Sequence, residues 1–161
     1  MKALLSRFLV SCAVLCGTAC GPHFQITAPQ GFVVLEESVP YDFRATTPDG
    51  LVLAVREFDN TKEHGDLDFW VQAIQNELRL DKGYALLKAS DVKTKSGLAG
   101  KALHFGLDRE NEAHEYLVAI FVTGRAKAKS RVYLIEAGGT AAQLKKSRSV
   151  IDQAIVDFEA R

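Results

Sequence analysis

Four histidines, twenty acidic side chains and three cysteines make up most of what this chain offers for binding a metal, moving a proton or attacking an electrophile. Imidazole is the commonest metal ligand and titrates near neutral pH. His104 and His114 are followed or flanked by Glu112 and Glu115. If the chain turns about Arg109, the two histidines face each other across a hairpin, about 5 Å apart at Cβ, close enough to share a zinc ion. A metal-free surface pair is the simpler reading, because no third ligand is evident. Asp108, Glu110 and Glu112 alternate as calcium ligands do. The glycine and distal glutamate of an EF-hand loop are missing, which leaves a solvated acidic turn. Of opposite sign, Arg125, Lys127, Lys129 and Arg131 place four cations within seven residues. At a hairpin tip they would attract an acidic partner or anionic headgroups over about 8–10 Å, or keep the sheet edge from pairing with neighbours.

Catalytic signatures are sparse. There is no Gly-x-Ser-x-Gly and no His-Glu-x-x-His, and the segment Gly97, Leu98, Ala99, Gly100, Lys101 lacks both the spacing of a phosphate loop and its magnesium-binding hydroxyl. Cys12, Cys16 and Cys20 all fall in the first twenty residues, so no thiolate cluster, disulfide framework or cysteine nucleophile is expected in the body of the chain. No cofactor and no enzymatic activity are expected, because no nucleophile has a base beside it.

The segment before Cys20 has three zones. Lys2 and Arg7 form a basic start, residues 8–16 are apolar, and Gly17, Thr18 and Ala19 are small. This is the order of an export signal, and its apolar stretch is shorter than the roughly 20 residues of a spanning helix. Cys20 resembles the lipidated first residue of bacterial lipoproteins, although Gly17 stands where that family's motif usually has leucine. Gly17 and Ala19 also suit ordinary signal peptidase, which would leave Cys20 unmodified. By the same resemblance, Gly21 in place of aspartate points to an outer membrane, with the domain facing the periplasm.

The chain has 161 residues, 47% apolar and 25% charged, enough for one domain with a sizeable core. Removing Lys2 and Arg7 with the leader leaves 18 basic against 20 acidic side chains. That balance excludes nucleic acid as the expected partner, since phosphate binding needs a cationic surplus.

Period-2 patterns predict strands over residues 32–36, 41–46 and 51–58, the last two joined at Pro48, Asp49 and Gly50. Leu67, Trp70, Val71, Ile74 and Leu78 form a helical stripe between an N-cap at Asp66 and a stop at Gly83. Trp70 belongs to that stripe, while Phe69 falls at its margin. The chain is β-like over 84–94, followed by antiparallel strands over 98–106, 114–123 and 131–137, with Gly138 and Gly139 ending the sheet. Thr140 and Gln143 form a capping box for a closing helix whose stripe is Leu144, Ile151, Ala154, Ile155 and Phe158. The predicted class is α+β, an antiparallel sheet packed with two main helices. The predicted organisation is a leader over 1–19, a lipid-anchored tether over 20–30, marked by Pro22 and Pro29, and a globular domain over 31–161.

With that order of elements, residues 31–159 resemble the PsbP-like and DcrB-like domains of photosystem II lumenal subunits and bacterial lipoproteins. Gly83-Tyr84, Gly100-Lys101, Glu115-Tyr116-Leu117-Val118 and Glu136-Ala137-Gly138 carry the resemblance. It implies an αβ sandwich and an accessory, assembly or chaperone-like role, though fold alone does not fix function. The expected function is a membrane-tethered accessory module with an envelope protein as partner. The alternative is a carrier or sensor of a small ligand or metal, built around a concave apolar site.

Overall fold

The computed structural model describes residues 21–36, 39–60, 65–124 and 130–161. In chain order the elements are β1 (Phe24–Gln25), β2 (Val33–Val34), β3 (Phe43–Thr46), β4 (Val52–Asp59), α1 (Leu67–Asn76), β5 (Ala85–Lys93), β6 (Ala99–Arg109), β7 (Glu112–Thr123), β8 (Arg131–Thr140), α2 (Ala141–Val156) and β9 (Glu159–Ala160). Among the described residues, seven strands make one sheet in the order β2-β3-β4-β8-β7-β6-β5, every neighbouring pair antiparallel. The class is α+β, as predicted.

Both faces of the sheet are covered, which is why the central strands read as unbroken apolar runs rather than alternating ones. Leu117 to Phe121 on β7 and Val132 to Ile135 on β8 are all buried. Leu53, Val55, Leu117, Ala119, Phe121, Tyr133, Ile135 and Ala137 face α2, where Leu144, Ile151, Ala154 and Ile155 complete the larger core together with Phe158, which lies just past the helix end rather than on its stripe. Leu103, Phe105, Val118, Ile120, Val132 and Leu134 face α1 and meet Leu67, Trp70, Val71, Ile74 and Leu78.

Both helix starts follow their predicted caps. The Asp66 carboxylate accepts from the Phe69 N–H at 2.8 Å. At α2 the Gln143 N–H donates to the Thr140 hydroxyl and the Thr140 N–H to the Gln143 side chain, which satisfies donors the helix cannot pair itself. The first helix widens into a π turn at Glu77–Asp81, and Gly83, at φ +74°, then releases the chain toward β5.

Three expectations are corrected. First, Gly138 and Gly139 do not end the sheet, because β8 runs through them to Thr140. A Cβ at Gly138 would lie 3.1 Å from the Tyr116 ring and one at Gly139 2.6 Å from the Gln143 side chain, so at these strand positions any side chain would press on its neighbours. Second, Phe24 and Gln25, within the segment read as a tether, are a strand of the fold. Phe24 is 5% exposed, stacks on Phe158 at 5.7 Å and meets Tyr133 edge-on at 6.1 Å, while β1 pairs with β9 through Phe24 and Ala160. Third, the β6–β7 hairpin turns at Glu110 and Asn111, with φ of 52° and 65°, rather than about Arg109. A two-residue turn with both centres left-handed matches the twist of the flanking strands. It sets Leu107 opposite His114 and His104 opposite Leu117.

Candidate functional site

That register decides the fate of the two histidines. Facing pairs in this hairpin differ by an odd step from the expected ones, and an odd step reverses faces. His104 therefore points to the α2 face, while His114 lies in register with Leu107 on the other. Instead of a histidine pair, His104 Nε2 meets Glu115 Oε2 at 2.9 Å, and His114 Nε2 lies 3.8 Å from Glu112. The described residues hold no group of three or more His, Cys, Asp or Glu side chains placed to bind a metal.

The His104–Glu115 pair instead ends a groove beside α2. His104 of β6 and Glu115 of β7 line its strand side and Ala141, Ala142, Leu144, Lys145 and Arg148 its helix side, around an open space of about 380 Å³. The exposed lining surface is mostly apolar although Lys145 and Arg148 contribute to it, and Arg148 is tied to Asp152 one turn on, at 2.9 Å. Its volume falls within the range of small-molecule sites, roughly 300–1,000 Å³.

Arg131 is largely buried and ion-paired. Its guanidinium binds Glu57 and, at 3.0 Å, Asp59, and lies 3.3 Å from His23 Nε2, with its side chain 14% exposed. Arg125, Lys127 and Lys129, like Cys20, lie outside the described residues. Glu110 occupies the tip of its turn, fully in solvent. Trp70 is half-buried against Phe58 at 5.2 Å and donates from Nε1 to Asn60 Oδ1 at 3.1 Å, while Phe69 stays 49% exposed at the helix margin.

A cluster that the sequence did not reveal lies on the α1 face, over β4, β8 and β7. Arg56 donates twice to Glu136, from Nε at 2.7 Å and from Nη2 at 2.6 Å, and the Tyr116 hydroxyl donates to the same carboxylate. Glu136 is 4% exposed. Its register partners are Ala54 on one side and Val118 on the other, so Arg56 and Tyr116 approach it diagonally from both neighbouring strands. The Glu136 carboxylate holds the Arg56 guanidinium firmly protonated. Burial, and then the adjacent Glu136 charge, pushes the Tyr116 phenol well above its ordinary value, so it remains a neutral donor. Both oxygens of Glu136 are engaged, which suits holding charge in place more than transferring a proton. The signal that could have exposed the cluster is the acid in the otherwise apolar run 132–137, which demands a cationic or hydroxyl partner. Choosing that partner requires the register.

No protein-family model matches the chain, and no curated protein matches it in sequence. Among solved structures it is similar to LpqN, involved in cell envelope biogenesis of Mycobacterium tuberculosis, at a TM-score of 0.71 and 12% identity over 84% of this chain and 82% of that one. A putative regulator of unknown function from Pseudomonas aeruginosa, PA94, has 18% identity and a TM-score of 0.46 over 76% of each chain. A Bacteroides thetaiotaomicron protein has 17% identity and a TM-score of 0.47 over 86% of this chain and 45% of that one. The likeness to LpqN shows that this chain has an α+β fold also found in a protein involved in cell envelope biogenesis.

Proposed function

We propose that the chain is an exported lipoprotein, lipidated at Cys20, whose domain is a non-enzymatic accessory or assembly module binding a protein partner in the cell envelope, of PsbP-like or DcrB-like type. The reading is carried by the position of Cys20, which is the only cysteine left after the leader and stands immediately before the residues that enter the fold at His23 and Phe24. Support comes also from LpqN, a protein of envelope biogenesis with the same fold. Among the described residues no helix is long and apolar enough to cross a membrane, so attachment would rest on the lipid. Gly21 after the cysteine favours the outer membrane and a domain facing the periplasm.

Feeding an alkyne-tagged palmitate to expressing cells tests the anchor. The tag should appear on the wild type and vanish in Cys20→Ala, which should leave the membrane fraction. Equal solubility of both forms, with no tag on either, rules the anchor out.

The groove beside α2 favours a second reading, a carrier of a small apolar ligand with an anionic end near Lys145 and Arg148. An environment-sensitive dye should bind there and be excluded by Ala142→Trp. Unchanged dye binding removes this reading.

A further inference from the structure

The way the chain enters the fold sets how far the domain can stand from its anchor. His23 is held by its backbone and its ring together. Its N–H donates to Glu57 Oε2 at 2.8 Å, and its carbonyl accepts from the Tyr133 hydroxyl at 3.0 Å and from the Arg161 N–H at 2.7 Å. Ring Nδ1 lies 2.7 Å from Glu57 Oε1. Phe24, the next residue, is in the core. The entry point is thus fixed, and it is at one end of the strands. Asp59 closes β4, Arg131 opens β8 and Thr123 closes β7, all in register at that end. The far end carries the Glu110–Asn111 turn, the start of α2 and Gly83.

Only Gly21 and Pro22 separate Cys20 from His23. Three Cα–Cα steps span at most about 11 Å, and Pro22 narrows the conformations within them. The headgroup zone of one leaflet is itself about 5–8 Å deep. A lipid on Cys20 therefore leaves almost no slack between the bilayer and the His23 end of the sheet.

We infer that the lipidated domain docks directly on the lipid surface through the His23 end of its sheet, with the far end presented away from the membrane. This rests on the anchor reading above. The β5–β6 turn at Lys95 lies at the docked end and Arg109 at the far end, separated along β6 by about 34 Å at the usual strand rise. The groove beside the start of α2 and the turn at Asn111 then face the aqueous space where an envelope protein can reach them.

The test uses the lipidated protein purified from membranes and placed in nanodiscs whose lipids carry nitroxide headgroups, with no other protein present. Fluorophores are attached at Lys95→Cys in one sample and Arg109→Cys in another, both positions being exposed. Mass spectrometry of the N-terminal peptide first establishes the lipid on Cys20. Quenching should be stronger at Lys95→Cys by about threefold or more, given a difference in depth of tens of ångströms. Ten Gly and Ser residues inserted after Cys20 add a coil of about 15–20 Å and should largely erase the difference. Equal quenching at both positions in the natural-length chain, from a domain lying flat or tumbling, overturns the docking while leaving the anchor standing. Absence of lipid on Cys20 overturns both.

Discussion

The two faces of one sheet are built differently. On the α2 face, Leu144, Ile151, Ala154 and Ile155 of the helix are buried, Phe158 is fully enclosed, and the N-terminal arm closes the side through Phe24. On the α1 face none of the residues of α1 is fully buried, although its apolar stripe is the more regular of the two in sequence. Where α1 does not reach, Arg56, Glu136 and Tyr116 lie over the strands instead of a helix. Amphipathic strength in the sequence is therefore a poor guide to how deeply a helix is buried. Depth follows from how many separate segments converge on a face, a helix and the N-terminal arm on one side and a single helix on the other.

This contrast predicts an order of destabilisation. Phe158→Ala should cost about 3–5 kcal/mol, the usual loss for an enclosed aromatic, because its ring contacts Phe24, Phe121 and Tyr133 at once. Ile74→Ala on the α1 face should cost only about 1–2 kcal/mol, since less of its surface leaves water. Urea unfolding of the two variants measures the gap, and equal losses would mean that the faces are equally packed.

Next in size is the charged cluster. Glu136→Ala strands the Arg56 guanidinium and the Tyr116 hydroxyl. Its cost should be about 2–3 kcal/mol, discounted from the roughly 3–5 of a fully buried pair because the Arg56 side chain remains 40% exposed. The double variant Arg56→Met with Glu136→Leu should recover most of that loss, since apolar replacement of a buried pair is often neutral. A double variant as unstable as the single one would show that the cluster organises the face rather than merely occupying it.

The smallest effect concerns the loop that meets α2. The Thr47 hydroxyl, and then Lys146, hold the Asp49 carboxyl below its ordinary value. A lowered folded-state value stabilises at pH above the ordinary carboxylate range, and that contribution is lost as pH falls through the lowered value. Melting temperatures of the wild type and Asp49→Asn should differ slightly near neutral pH and converge in acid. A gap that persists at low pH would assign the effect to something other than the charge.

What was legible in the sequence was local. Asp66, Thr140 and Gln143 announce helix starts because capping is settled within four residues, and the stripe of α1 is visible for the same reason. The pairing of Phe24 with Ala160 was not legible, since two residues make no periodic pattern and their partner lies at the other end of the chain. The β6–β7 register was missed because Glu110 and Asn111 adopt left-handed backbone without the glycine that usually marks such a turn. That one misplacement joined His104 to His114, whose side chains leave the sheet on opposite faces. The Arg56, Glu136 and Tyr116 cluster needs three strands in register before its members become neighbours.

The central claim, a lipid-tethered module that binds an envelope protein, is tested most directly by pulling down the full-length tagged protein from detergent-solubilised membranes beside its Cys20→Ala variant. The account predicts a partner recovered in defined proportion with the wild type and lost, or reduced at least about tenfold, when the anchor is removed and the local concentration that tethering supplies goes with it. Recovery of no partner by either form, or of the same partner equally by both, would contradict it.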